Sequence, residues 1–283
     1  MLNWLWIPLS YGFMQRGMLT AVLVGILCSV MGCYVVLRSM AFLGDAIAHA
    51  ILPGVAVAYL VGANLTVGAL VAAVLVALGI GFLSRQGTVK EDTAIGVIFT
   101  AALALGVAMI SSIRSYAVDL SHILFGNILG VRPEDIVLTV GIGGAVLLTV
   151  GVLFRPLLVV SFDPVLASTL RLPVNALRSL LLVLIALTIV VSIQAVGVGL
   201  AAAMLVTPPA TAFLITRRLT TMMAVSAGIG AVSGLAGLYI SYYTSIASGA
   251  AIVLVATAVF LTVYLFAPEK GLLAIRGSKA RAR

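Results

Sequence analysis

Two side chains that could bind a metal ion stand four residues apart in the segment LGDAIAHAILPG. Asp45 offers a carboxylate oxygen and His49 offers an imidazole nitrogen. Residues four apart in an α-helix share one face, so this pair could hold a divalent cation between an oxygen and a nitrogen. Pro53 lacks an N–H and removes the usual helical donor to the carbonyl of His49, which would supply another oxygen nearby. The pair is the principal candidate site.

Asp45 and His49 also have a purely structural interpretation, as a helix cap and a hydrogen-bonded packing residue. A helical rise of about 1.5 Å per residue, counted from Arg38, places them roughly 10–16 Å along the chain from the membrane surface. That depth exceeds the depth of a routine solvated cap, and ionisable groups inside apolar spans usually face a pathway or a partner. We therefore expect a substrate site, although the same two groups could relay protons instead.

The second histidine, His122, follows Asp119 by three residues in the segment VDLSHILFGNILGV. A loop histidine beside an acid is often only a solvated residue. The pair is retained as a candidate for transient metal binding, or for a gate, at the outer mouth of a pathway. Neither G-x-x-x-x-G-K-[ST] nor H-E-x-x-H occurs in the chain, so it has no P-loop for ATP and no zinc-protease motif. An intramembrane enzyme is disfavoured, because Asp45 and His49 have no paired nucleophile.

The composition requires that these residues be positioned by membrane helices. The 283 residues are 63% hydrophobic and 8% charged, with a mean hydropathy of +1.29, which leaves too little polar surface for a soluble fold. We predict an all-α polytopic bundle of about nine transmembrane helices. The number is given as a range of eight to ten, since the stretch 179–216 is interrupted by glycines and a Pro-Pro pair. The predicted spans are 18–37, 46–62, 65–83, 94–110, 135–154, 179–198, 199–216, 222–242 and 250–267.

The basic residues indicate the orientation of these spans. With the first residues outside, thirteen of the 16 Lys and Arg residues fall on the cytoplasmic side, and only Arg16, Arg114 and Arg132 fall outside. The net charge of +8 is therefore a marker of topology, with the chain in contact with membrane lipid and no nucleic-acid partner. The tail 268–283 is predicted to be basic and cytoplasmic.

Two long connections are predicted to contain short helices, an outer one at about 111–134 and an inner one at about 155–178. In the inner connection, Asp163 is a suitable N-cap and Pro164 a suitable first helical residue. We expect an amphipathic cytoplasmic helix here. Its remaining candidate contact residues are Leu166, Leu170 and Arg171.

Several polar and small-residue segments occur in the order seen in one family of membrane proteins. The chain resembles the membrane permeases of bacterial manganese, zinc and iron ATP-binding-cassette importers over nearly its whole length. GDAIAHAILPG and VDLSHILFGNILG are the most specific of these segments, since generic apolar helices would not supply their polar residues. The other matching segments are TAIGVIFTAALALGV, SFDPVLASTLRLPV, AVGVGLAAAMLVTPPATAFL and GLYISYYTSIASGAAIVL.

The resemblance implies a type II importer-like permease, forming a single transmembrane domain over 1–283 in the bacterial cytoplasmic membrane. It implies a second permease copy, a cytoplasmic ATPase dimer that uses the ATP, and an extracytoplasmic protein that delivers the metal. Asp45 and His49 match the family's pathway positions, the segment after Asp163 looks like its coupling helix, and the His122 segment is similar to a helix closing the outer mouth. Mn²⁺, Zn²⁺ or Fe²⁺ would be cargo, with no permanently bound cofactor. A proton-coupled secondary metal transporter is the alternative.

Overall fold

A computed structural model describes residues 7–85, 89–111 and 128–267, and every regular element within these ranges is helical. A single 3-10 turn, Ile128–Gly130, precedes the sixth helix. The helices are α1 Gly12–Leu37, α2 Leu43–Ala50, α3 Leu52–Val61, α4 Leu65–Leu83, α5 Glu91–Ser111, α6 Pro133–Val152, α7 Phe154–Phe162, α8 Pro164–Thr169, α9 Val174–Val196, α10 Val198–Ile215, α11 Leu219–Thr244 and α12 Ser248–Phe266.

The described helices confirm the predicted nine-span bundle. Nine segments are long and apolar enough to cross a membrane, with α2 and α3 together forming the second. The third span agrees with the prediction at both ends, whereas the first and sixth begin earlier, at Gly12 and Val174. The sixth span extends past the charge of Arg178 because that guanidinium is paired with a carboxylate, as described below.

The ambiguous stretch 179–216 contains two spans that separate at Gly197. This glycine has φ of +86°, a conformation that side chains other than glycine's rarely adopt, and it ends α9 just before α10 begins. Pro208 and Pro209 lie inside α10 and do not divide it.

Small residues allow α1 to pack closely against its neighbours at the centre of the bundle. A Cβ atom built on Gly32 would lie 1.9 Å from the carbonyl oxygen of Leu205 in α10, so the two helices can approach this closely only at a glycine. In α11, Gly230 lies against Gly25 and Gly234 lies against Ala21. The four-residue spacing of Gly230 and Gly234 therefore allows α11 to approach α1 closely.

One end of the bundle, called here the basic end, carries most of the positive charge in the described ranges. It is the end at which α1, α4, α6, α10 and α12 finish. The basic residues there are Arg38, Arg85, Lys90, Arg155, Arg171, Arg178, Arg217 and Arg218, whereas Arg16 and Arg132 lie at the opposite end. The inner connection lies at the basic end and holds α7 and α8, two helices where one was predicted.

Candidate metal site and its supporting ion cluster

Asp45 and His49 project from the one open side of α2. All six other residues of this eight-residue helix are buried, whereas the side chains of Asp45 and His49 are 47% and 30% exposed. Their nearest polar atoms, Asp45 Oδ1 and His49 Nε2, are 3.6 Å apart. The predicted shared face is confirmed, and it directs an oxygen and a nitrogen donor to the same side of the bundle.

An aromatic wall and an apolar groove border this open side. The ring of Phe99 in α5 meets Phe42 edge to face at 5.5 Å, and its centroid lies 6.3 Å from that of His49. Beyond Ala50, a groove of about 550 Å³ runs between α3, α4 and α5, with a lining that is almost entirely apolar. In the described part of the chain, no group of three His, Cys, Asp or Glu side chains could hold a metal ion.

Two details of the site differ from the expectation. Residues 38–42 form a turn between α1 and α2, so Asp45 lies in the first turn of its helix and the rise counted from Arg38 overestimates its depth. The carbonyl of His49 loses its usual donor at Pro53 but accepts a backbone N–H at the end of α2. That oxygen therefore has one backbone donor, and its second lone pair could still accept another partner.

An ion cluster at the basic end was not expected. Glu91, at the start of α5, accepts hydrogen bonds from Arg38 after α1, at 2.5 Å, and from Arg178 in α9. Burial has the largest influence on the pKa of Arg38 and lowers it; the carboxylate of Glu91 opposes this effect, and the charge of Arg178 adds to it. The cluster joins the ends of three spans and fixes the turn that leads into α2.

In the sequence, Glu91 and Asp92 stand just before the predicted fourth span, a position typical of helix-capping residues, and Arg38 and Arg178 contribute to the predicted orientation. A signal was nevertheless present. The predicted topology places Arg38, Glu91 and Arg178 at the same membrane face, where an acid among several arginines has an electrostatic reason to pair.

The predicted N-cap in the inner connection is confirmed. Asp163 Oδ1 accepts hydrogen bonds from the backbone N–H groups of Val165 at 3.0 Å and Leu166 at 2.9 Å, and Pro164 is the first residue of α8. Leu166 and Leu170 are 48% and 56% exposed. Arg171 follows the helix at φ of +57° and is also exposed.

A shallow cavity lies beside this segment at the basic end. Its volume is about 450 Å³, and its lining is mainly apolar with two arginines at one side. The lining residues are Phe154, Leu158, Val159, Phe162, Asp163, Leu166, Arg217, Arg218, Leu219 and Thr220.

His122 and Asp119 lie outside the described residues, as does most of the predicted segment 111–134. A cavity of about 510 Å³ is present at the end opposite the basic end, with Gln194, Arg132 and Asp135 among its lining residues. Asp135 accepts a hydrogen bond from the backbone N–H of Arg132 at 3.0 Å and thereby caps α6. The basic tail 268–283 also falls outside the described ranges.

Comparison with known proteins identifies the family. The family model of the ABC 3 transport family matches residues 10–267. The chain belongs to the ABC 3 transport family. It is 48% identical over 275 residues to the manganese transport system membrane protein MntC of Halalkalibacterium halodurans, covering 96% of this chain and 94% of that protein.

Two further relatives of this ABC 3 chain agree with that assignment. The manganese import system permease protein ScaB of Streptococcus parasanguinis is 44% identical over 261 residues, covering 92% of this chain and 93% of that protein. The solved structure of PsaBC from Streptococcus pneumoniae in complex with Fab superposes with a TM-score of 0.83 at 40% identity, covering 97% of this chain and 99% of that chain.

Membership of the ABC 3 family decides between the function classes that the sequence left open. The chain is a multi-pass permease of an ATP-binding-cassette importer for a divalent transition metal in the bacterial cytoplasmic membrane, and it is not an enzyme. A proton-coupled secondary transporter is not favoured.

Proposed function

We propose that the cargo of this permease is Mn²⁺ and that Asp45 and His49 bind the ion in transit. The proposal is supported by a carboxylate oxygen and an imidazole nitrogen on one open face, 3.6 Å apart, which suit Mn²⁺, Fe²⁺ and Zn²⁺. The names of the relatives MntC and ScaB favour manganese among these ions.

Two ligands do not complete the coordination of a divalent transition metal, so the pair must be supplemented from elsewhere. We propose that a second copy of the permease supplies another Asp45 and His49 across the open side of α2. The observation that carries this proposal is the exposure of this one polar face beside an apolar groove of about 550 Å³. Two copies would provide two carboxylates and two imidazoles, and exchange with water would keep binding weak enough for release.

The segment at about 155–178 is proposed as the docking site for a separate ATPase dimer. Its support is the capped helix α8, which presents the apolar side chains of Leu166 and Leu170 beside a cavity of about 450 Å³ at the basic end. An exposed apolar face on a short helix is the surface that a partner groove would cover. Asp163 and Pro164 would hold the helix in place, and Arg171 would contact the partner at its end.

The opposite end is proposed to receive metal from an extracytoplasmic binding protein. Asp119 and His122 remain candidate transient ligands there, within a proposed outer segment at about 111–134. We further propose that the whole chain, 1–283, is a single transmembrane permease domain with the basic tail 268–283 on the cytoplasmic side, an orientation supported by the charge at the basic end.

Radioactive Mn²⁺ uptake by cells that lack their own importer tests the proposed ligands. Asp45→Asn keeps the size of the side chain and removes its charge, and His49→Ala removes the nitrogen donor. Each variant should lower the initial uptake rate at least about tenfold, since loss even of groups that only support a metal ligand typically costs 10–100-fold. Zn²⁺ and Fe²⁺ as competitors test the choice of metal.

Asp92→Asn provides the matched control, because it removes an exposed carboxylate at the same end of the bundle. All three variants should reach the membrane in equal amounts and elute as folded permease on gel filtration. Normal uptake by well-folded Asp45→Asn and His49→Ala would show that the pair is structural. Uptake by reconstituted vesicles that requires ATP and persists with a proton ionophore would exclude proton coupling.

The docking proposal is tested by metal-stimulated ATP hydrolysis of the reconstituted complex. Leu166→Asp places a charge on the exposed apolar side chain and should abolish most of the stimulation, whereas Ser168→Asp introduces the same charge at an exposed polar position of α8 and should retain it. Equal stimulation in the two variants would exclude Leu166 from the interface.

A further inference from the structure

A second, smaller cavity lies at the basic end beside α7 and α8, and neither Asp45 nor His49 lines it. Its volume is about 260 Å³. Arg38, Arg178 and Glu91 form one wall, and Ser161 from α7 contributes to the other. The remaining lining residues are apolar or proline, so the polar groups of the cavity are concentrated on these four side chains.

The polar groups around this cavity are not fully satisfied by one another. Two guanidinium groups share the single carboxylate of Glu91, which leaves a net charge of +1 at neutral pH. The side chain of Arg38 is only 9% exposed, and its Nη1 atom has no hydrogen-bond partner among the described residues. The buried hydroxyl oxygen of Ser161 likewise has none within the described ranges.

Unpartnered donors and surplus positive charge in a buried site stabilise a bound anion. Water could satisfy the hydrogen bonds but would leave the charge uncompensated. Asp163, which precedes Pro164 of the lining, is exposed and already accepts two backbone hydrogen bonds as the cap of α8. A cation is excluded by the sign of the charge.

We propose that this cavity binds a phosphate-type oxyanion, held by Arg38 and Arg178 and by the hydroxyl of Ser161. A guanidinium group presents several N–H donors in a planar fork that matches phosphate oxygens, which makes phosphate the best fit to two arginines and a hydroxyl. The source is free inorganic phosphate or the headgroup of an anionic lipid. Neither proposed metal ligand lines the cavity, so this proposal does not depend on the identity of the cargo.

The purified permease, in complex with its ATPase, provides the test. In a neutral detergent, inorganic phosphate should raise the thermal midpoint of the permease relative to chloride at equal ionic strength. In nanodiscs without phosphate, phosphatidylglycerol should raise the midpoint relative to phosphatidylcholine if the headgroup is the source. A raised midpoint in either experiment supports the site and identifies the source of the bound anion. An unchanged midpoint in both experiments would overturn the proposal.

Substitutions locate the effect. Arg38→Gln should raise the half-saturating phosphate or lipid concentration at least about tenfold, because it removes a charge-assisted hydrogen bond. Arg85→Gln removes an exposed charge at the same end of the bundle and should leave that concentration unchanged. Ser161→Ala, which keeps both arginines and is the milder change, should raise it about two- to tenfold. The same half-saturating concentration in Arg38→Gln and Arg85→Gln would refute the site. If Arg38→Gln does not fold, an unchanged half-saturating concentration in Ser161→Ala would refute it instead.

Discussion

Replacement of Glu91 by glutamine should strongly destabilise the permease. Glutamine keeps the size of the side chain but leaves Arg38 and Arg178 with no counter-charge in their cluster. The exposed fractions of the Arg38, Glu91 and Arg178 side chains are 9%, 14% and 24%, so the cluster behaves as a buried pair. Breaking a buried ion pair from one side costs about 3–5 kcal/mol, whereas an exposed pair contributes only about 0–1 kcal/mol.

The free energy of unfolding can be measured by SDS titration of the purified permease in mixed micelles. Asp92→Asn, the neighbouring acid in the first turn of the same helix but exposed, should cost less than about 1 kcal/mol. The double variant Glu91→Gln/Arg178→Gln should recover part of the loss, because it removes one of the two uncompensated charges. If Glu91→Gln costs no more than Asp92→Asn, or if the double variant is the least stable, the ion cluster does not stabilise the bundle as argued.

Two further predictions concern packing and orientation. Gly32→Ala should lower the free energy of unfolding by about 1–3 kcal/mol, because its Cβ would lie 1.9 Å from the carbonyl oxygen of Leu205. Gly228→Ala, whose Cβ would meet nothing within 4 Å, should be neutral or stabilising. Equal midpoints of the two variants in SDS titration would contradict this prediction. For orientation, the buried Cys28 and Cys33 are first replaced by alanine. A cysteine introduced at Ala247 should then react with an impermeant thiol reagent in intact cells, and one at Thr169 should react only after permeabilisation. The reverse labelling pattern would show that the topology is inverted.

Local patterns predicted much of this permease, and the failures arose where distant residues meet. The lengths of the apolar runs predicted the nine spans, and the four-residue spacing placed Asp45 and His49 on one face, because both depend only on nearby sequence. The rise counted from Arg38 assumed a continuous helix, whereas the structure has a turn at 38–42 with Ser39 at φ of +57°, and this turn has no strong sequence signal. The ion cluster was missed because its contacts span 53 and 87 residues.

The ion cluster also imposes an order on the synthesis of the chain. Glu91 follows Arg38 by 53 residues, and Arg178 follows Glu91 by 87, so the neutral pair can form well before the third member exists. At about 5–20 residues per second, the ribosome needs roughly 4–17 s to make the 87 residues between them. During that interval the Arg38 and Glu91 charges can neutralise each other. Arg178 then arrives with α9 and joins a bundle whose first five spans have already been synthesised.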